Sequence, residues 1–119
     1  MIEIKPKYDL EERTRIFAVE VRKYIKKLPR TISNIEDGKQ LIRSSGSVGA
    51  NYIEANESLS KKDFVMRIKI SRKEAKESSY WLKIIIANNS SEFTKEGEFL
   101  AQEAEELKKI LSAILEKSK

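Results

Sequence analysis

The sequence predicts an all-α protein, an antiparallel up-down-up-down four-helix bundle. Only 4 of the 119 residues are glycine and 2 are proline, and the chain is rich in residues that favour helices. Apolar residues recur every three or four positions in four stretches, which short polar segments separate. Short connections make neighbouring helices pack side by side in opposite directions. Residues 1–119 are expected to form one domain, since the chain is too short for two ordinary ones.

The first two helices are placed by their start signals. Asp9, three residues before a glutamate, begins a helix predicted over 9–28, and a proline at position 29 ends it. Ser33, also three residues before a glutamate, begins a second helix predicted over 33–57. The apolar stripe expected for this second helix consists of Ile35, Ile42, Val48, Tyr52 and Ile53.

The last two helices show a regular alternation of four- and three-residue spacing. Ser60 is the expected cap of a third helix over 61–88, and Thr94 is the expected cap of a fourth over 95–117. The seam expected for the third helix consists of Phe64, Ile68, Ser71, Ala75, Ser78, Leu82 and Ile85.

The composition excludes several classes of function. The chain has no histidine and no cysteine, so thiolate or imidazole metal sites, Ser-His or Cys-His nucleophile pairs and disulfides are ruled out. No apolar run approaches the roughly 18–20 residues that a membrane-spanning helix needs, and the start of the chain lacks the features of a signal peptide. We therefore expect a cytoplasmic protein without enzymatic activity, cofactor, metal or membrane association.

Small residues cluster in the second helix between Ser44 and Ala50, although glycine costs about 1 kcal/mol relative to alanine inside a helix. Close approach of a neighbouring helix is the physical explanation, and Trp81 or Tyr80 of the third helix is the expected occupant. A phosphate-binding loop is disfavoured because the Gly-Lys-Ser/Thr ending and a preceding strand are both missing.

The third helix carries more apolar surface than one seam requires. Ile70, Trp81 and Ile84 fall on a flank of the seam, and Tyr80 lies further round. Two interpretations remain open, a wide stripe that faces the core of the bundle or an interface between subunits.

A group of polar residues is expected to share the faces between helices. Its carboxylates could act as acid and base or hold a hard metal ion. The simpler interpretation is a hydrogen-bonded network that fixes helix register. The proposed members are Arg13, Arg43, Asn51, Glu54, Glu57, Lys73, Glu74 and Glu77.

Positive charge is concentrated in two of the four helices. Residues 1–30 carry a net charge of +4 and residues 61–90 carry +5, whereas residues 31–60 and 91–119 carry −2 each. Such surfaces are solvated by default, but a row of cations with few acids between them can also follow a phosphate backbone. The candidate nucleic-acid-binding residues are Arg22, Lys23, Lys26, Lys27 and Arg30 on the first helix and Lys62, Lys69, Arg72, Lys76 and Lys83 on the third.

Several motifs together resemble a known family. They are Asp9-Leu10 with Arg13 and Phe17, Leu28-Pro29, QLIRSSGSVGANYIEA over 40–55, KDF over 62–64 and KEAKESSYWL over 73–82. From about residue 8 to 115 the chain is similar to the bacterial four-helix-bundle proteins encoded within 23S rRNA intervening sequences. The fourth helix resembles them only in its leucine spacing.

The resemblance implies a bundle that assembles as a ring-like homopentamer and has no known enzymatic activity. It relates the chain to the accessory variability proteins of diversity-generating retroelements, which resemble basic barrels that bind nucleic acid and a reverse transcriptase. Nonspecific binding of RNA or DNA is therefore the leading expectation, and a scaffold or accessory subunit for a partner protein is the alternative. The family's pattern residues would serve packing and assembly, and here they correspond to Arg43, Asn51, Glu54, Glu74 and Trp81.

Overall fold

The computed structural model describes residues 9–119, which form four α-helices and one short 3-10 turn. The helices are α1 (Leu10–Lys27), α2 (Ile32–Asn56), α3 (Lys61–Ala87) and α4 (Thr94–Lys117), and the 3-10 turn (Ser91–Phe93) directly precedes α4. No strand occurs within this part of the chain. The expected all-α class is confirmed, and each observed helix bound lies within one residue of the predicted one.

Two helices start at the predicted cap. The Asp9 carboxylate accepts a hydrogen bond from the backbone N–H of Glu12 at 2.8 Å, and the Ser60 hydroxyl accepts one from the N–H of Asp63 at 3.1 Å. Each cap satisfies one of the amide groups that have no partner within the first turn of a helix.

The predicted caps of α2 and α4 are wrong. Thr31, not Ser33, precedes α2, and its hydroxyl accepts a hydrogen bond from the N–H of Asn34 at 3.1 Å. Thr94 is already the first residue of α4, and no side chain caps this helix. The 3-10 turn leads into α4 instead, with a backbone hydrogen bond from the N–H of Phe93 to the carbonyl of Ser90 at 3.1 Å.

The helices enclose one apolar core. α2 packs against α1 and α3, and α4 packs against α3 and α1. Burial of each large apolar side chain contributes about 1.5–3 kcal/mol. The largest fully buried apolar side chains are Phe17, Val21 and Tyr24 of α1, Leu41 and Val48 of α2, Ile68, Leu82 and Ile85 of α3, and Leu100, Leu107 and Leu111 of α4.

The buried face of α2 differs from the expected apolar stripe. Ile35 and Ile53 are 37% and 44% exposed, whereas the small residues Ser44, Ser45 and Gly49 are buried. A helix face built from small side chains contributes little apolar area but lets its neighbours come close. Apolar periodicity alone therefore placed two isoleucines on the wrong side.

The glycines of α2 face α1, so the expectation that Trp81 or Tyr80 occupies this space is wrong. A Cβ atom added to Gly49 would lie 2.7 Å from the Thr14 hydroxyl, and one added to Gly38 would lie 3.3 Å from Ile25 Cγ2. α3 packs against another side of α2, where the Ser71 hydroxyl of α3 donates a hydrogen bond to the backbone carbonyl of Val48 at 2.7 Å. The small residues of α2 thus serve two helix contacts.

Candidate nucleic-acid interface

The basic residues of α3 lie on the outside of the bundle. Arg72 is half-buried, and the four regularly spaced lysines are exposed. These lysines are Lys62, Lys69, Lys76 and Lys83. Their seven-residue repeat keeps the four lysines on one side of the helix, away from the buried seam.

A surface groove between α3 and α4 extends this row of cations. Its volume is about 370 Å³, and α4 contributes Lys108 and Ser112 to its lining. The α3 side is formed by Lys69, Arg72, Lys73 and Lys76. We call this feature the cationic groove. The sequence assigned Lys73 to a polar network and missed Lys108, because the position of α4 beside α3 has no local sequence signal.

The cations of the groove are largely free of acidic partners. Within residues 9–119, neither Arg72 nor the three lysines on the α3 side form a salt bridge. Lys108 does form one, with Nζ 3.2 Å from a Glu105 oxygen. The nearby Ser79 hydroxyl and the pairing with Lys108 lower the pKa of Glu105, so this carboxylate stays ionised at neutral pH. The groove therefore has four cations on α3 that can attract an external anion.

The basic end of α1 is different. Lys27 Nζ lies 2.9 Å from a Glu96 oxygen, and Lys23 Nζ lies 3.2 Å from an oxygen of the buried Glu20. Arg22 donates to the carbonyl of Ala18 at 2.9 Å. Three of the five cations predicted on α1 thus already have partners within the chain. Of these five, Lys26 and Arg30 are exposed and form no salt bridge within residues 9–119, and Arg30 lies just after the end of α1.

The predicted polar network is divided into two separate ion-pair sites. On the α2–α3 side, Arg43 donates to Glu74 at 3.1 and 3.4 Å and to Glu77 at 3.1 Å. Arg13 is not part of this group, because it donates to Glu103 of α4 at 2.7 and 2.8 Å. The sequence missed Glu103, since seven acidic residues in the last quarter of the chain left no reason to choose it.

The remaining candidates have different environments. Asn51 accepts a hydrogen bond from Arg67 at 3.1 Å, and Glu54 is exposed. Trp81 is half-buried against the core, and its ring meets that of Tyr80 edge to face with centroids 5.2 Å apart. The indole N–H of Trp81 is buried and has no hydrogen-bond partner among the residues described.

Two general features of the described chain bear on function. Over residues 9–119 no three acidic side chains are grouped so that they could hold a metal ion. Within the same range, none of the helices is both long and apolar enough to cross a bilayer.

An all-α four-helix bundle with a cationic groove on its surface is the class of protein that these observations define. The family model of the 23S rRNA-intervening sequence protein matches residues 7–113, and the chain belongs to this family. Among curated proteins, none gives a significant match.

A solved structure supports the same assignment. The chain is similar to a protein of unknown function from the S23 ribosomal protein family of Bacteroides thetaiotaomicron VPI-5482, with 29% identity and a TM-score of 0.75. The match covers 88% of this chain and 96% of that one. The family model thus establishes the family, and this structure agrees with the all-α fold described above.

Proposed function

We propose that this protein is a non-enzymatic, oligomeric bundle that binds RNA or DNA without sequence preference through the basic surfaces of α1 and α3. The observation that carries the proposal is the row of α3 cations that have no acidic partner within residues 9–119. Such a surface attracts polyanions through counterion release, which depends on charge and not on base sequence. Family membership supports an RNA-related setting without identifying a ligand.

The proposed bundle has antiparallel neighbours. Arg43 of α2 contacts Glu74 of α3, and Val48, later in α2, contacts Ser71, which is earlier in α3. The two helices therefore point in opposite directions. The order of the α1–α4 contacts is reversed in the same way, from Arg13 with Glu103 to Lys27 with Glu96. This order supports up-down-up-down connectivity.

The proposed assembly is a ring-like homopentamer, as the family resemblance implies. Tyr80 is 59% exposed and lies beside the half-buried Trp81, so the two rings offer an aromatic anchor for another subunit. Light scattering should give a mass of about five chains. Tyr80→Ala should lower this mass without unfolding the protein, since this side chain contributes little to the core, and Trp81→Ala should lower it or unfold the chain. A full-sized, folded assembly of both variants would contradict an anchor role for these rings.

Nucleic-acid binding is tested by fluorescence polarisation with a structured RNA and a duplex DNA at several salt concentrations. We expect micromolar or tighter binding that weakens steeply as salt rises. Absence of binding at low salt would overturn the proposal.

A second candidate function is that of a scaffold or accessory subunit for a partner protein. An apolar groove on the outer side of α3 favours it, with Val65, Met66 and Ile70 in its lining and Met66 47% exposed. A partner captured by the wild-type protein after nuclease treatment, but lost with Met66→Asp, would favour this function over nucleic-acid binding.

A further inference from the structure

We propose that the cationic groove between α3 and α4 is the site that binds the phosphodiester backbone, and that the basic end of α1 is dispensable for binding. This inference rests on the proposed function and narrows it from two basic surfaces to one. The shared ligand chemistry is a row of phosphodiester groups, which both RNA and DNA provide.

The shape of the groove suits a linear polyanion. Lys69, Arg72, Lys73 and Lys76 occupy positions i, i+3, i+4 and i+7 of α3, so they follow one side of the helix for two turns. At 1.5 Å per residue this row is roughly 10 Å long. Lys108 faces it from α4. Cations on two walls can hold successive phosphates along the strand, whereas a single ridge offers one line of contacts.

The charge of the groove is uniform. No carboxylate is among its lining residues within 9–119. The nearest acids of α3, Glu74 and Glu77, are held by Arg43 of α2. On α4, the carboxylate of Glu105 is paired with Lys108. An incoming phosphate therefore meets a net positive field with no acid to displace from the α3 side.

The half-buried position of Arg72 adds a geometric element. A guanidinium can donate two parallel hydrogen bonds to one phosphate, and its partial burial restricts the motion of the side chain before binding. No aromatic ring lines the groove within the described residues, so bases have no surface there to stack on. The site should accordingly recognise the backbone and ignore base sequence.

The basic end of α1 provides a matched comparison. Lys26 and Arg30 are its exposed cations without a salt bridge within residues 9–119, and they lie beside apolar side chains, among them Ile25 and Leu28. Only two free charges remain there, since Arg30 lies just after α1 and the cation that faces them from α2, Lys39, is paired with Glu36 at 3.1 Å. This cluster should therefore contribute less to binding than the groove.

Two double variants remove equal charge from the two regions. Lys69→Gln/Lys76→Gln alters exposed groove residues, and Lys26→Gln/Arg30→Gln is the control with the same change in net charge. Each is titrated against a fluorescein-labelled RNA hairpin and a mixed-sequence DNA duplex between about 50 and 200 mM salt. Circular dichroism and light scattering establish that both variants keep the fold and mass of the wild type.

We expect the groove variant to bind at least about tenfold more weakly at the lower salt concentration and its salt slope to fall by about 2, one per lysine removed. The α1 control should stay within about twofold of the wild type, because it retains every groove cation. The single variant Lys108→Gln should also weaken binding, which would show that α4 contributes to the site.

The outcomes separate the two proposals. If the wild type binds neither probe at low salt, the proposed function fails and the groove assignment fails with it. If the wild type binds and both double variants weaken equally, the proposed function stands and the groove assignment is overturned. A larger loss in the α1 control, or full binding by the groove variant, would also overturn it. Loss with RNA alone or DNA alone would identify which phosphodiester strand the groove accepts.

Discussion

Two helix contacts each contain one arginine–carboxylate site, the contact of α1 with α4 and the contact of α2 with α3. The two sites differ in burial. The side chains of Arg13 and Glu103 are 11% and 7% exposed, and their two hydrogen bonds are 2.7 and 2.8 Å long. The Arg43 side chain is 49% exposed, and its bonds to Glu74 and Glu77 are 3.1–3.4 Å long. The same functional groups therefore act in two different dielectric environments.

The difference shows what an ion pair contributes at each depth. Hydrogen bonding to Glu103 raises the pKa of Arg13, and hydrogen bonding to Glu74 raises the pKa of Arg43, so both guanidinium groups remain charged at any ordinary pH. Protonation cannot distinguish the two sites. Burial does distinguish them. We call Arg13 with Glu103 the inner site and Arg43 with its two glutamates the outer site. An unpaired charge at the inner site loses hydration that water still supplies at the outer site.

The largest expected effect comes from breaking the inner pair. Arg13→Ala leaves the Glu103 carboxylate buried without its partner, and we expect a loss of about 3–5 kcal/mol in the free energy of unfolding, measured by urea denaturation. The matched control is Arg13→Met/Glu103→Leu, which removes both charges and should recover most of the loss. A single-variant loss below about 1 kcal/mol would mean that burial does not separate the two sites.

Tyr24 sharpens the comparison because it belongs to the same α1–α4 contact and responds to pH. Its side chain is fully buried, and its hydroxyl donates to the carbonyl of Phe93 at 2.9 Å. Burial, with a smaller contribution from the charge of Glu96, raises the pKa of Tyr24 to about 12. In the unfolded chain this phenol has a pKa of about 10.

The folded state therefore keeps a proton that the unfolded state loses. The stability contribution of Tyr24 is present below about pH 10 and is lost as the pH rises toward 12, a change on the order of 2 kcal/mol. Tyr24→Phe should be less stable by about 1 kcal/mol at neutral pH and should lack this alkaline component. Parallel stability curves for the two proteins between about pH 9 and 12 would contradict the assignment.

The outer site gives the next smaller effect. Arg43→Ala removes hydrogen bonds to two carboxylates, but water reaches the half-exposed guanidinium in the wild type and should replace it in the variant. We expect a loss of about 1 kcal/mol, since Glu74 is the one member of this site that is well buried. A loss as large as that of Arg13→Ala would make the two sites equivalent.

Helix periodicity was sufficient to predict four helices and most of the core, because this signal lies within a few residues along the chain, whereas the predicted caps were right only for α1 and α3. The buried face of α2 was harder to predict. Its small residues carry little apolar signal, and which neighbour they meet depends on tertiary packing, as the contact of Gly49 with Thr14 shows. The predicted polar group did contain the partners of Arg43, which lie 31 and 34 residues away on the next helix, but it did not contain the partner of Arg13, which lies 90 residues away.

In the candidate interface, too, some residues could be predicted from local sequence and others only from tertiary packing. The α3 lysines were predictable from their seven-residue repeat, which needs only the geometry of one helix. Lys108 was not, since it joins them only through the packing of α4 against α3. The ion pair of Lys27 could not be predicted either, because Glu96 meets α1 only in the folded bundle. The pair of Lys23 with Glu20 differs, since these residues are three apart on one helix and local spacing is sufficient to predict it.

The smallest expected effect is that of Glu77→Gln. This carboxylate is 39% exposed and shares Arg43 with the more buried Glu74, so its loss leaves no buried charge without a partner. We expect a change of at most about 0.5 kcal/mol, with a further decrease at high salt, where exposed pairs are screened. Glu74→Gln is the matched comparison on the same helix and should cost more at every salt concentration, because its side chain is only 9% exposed. Equal losses from the two variants would show that position relative to Arg43, and not burial, sets the strength of the outer site.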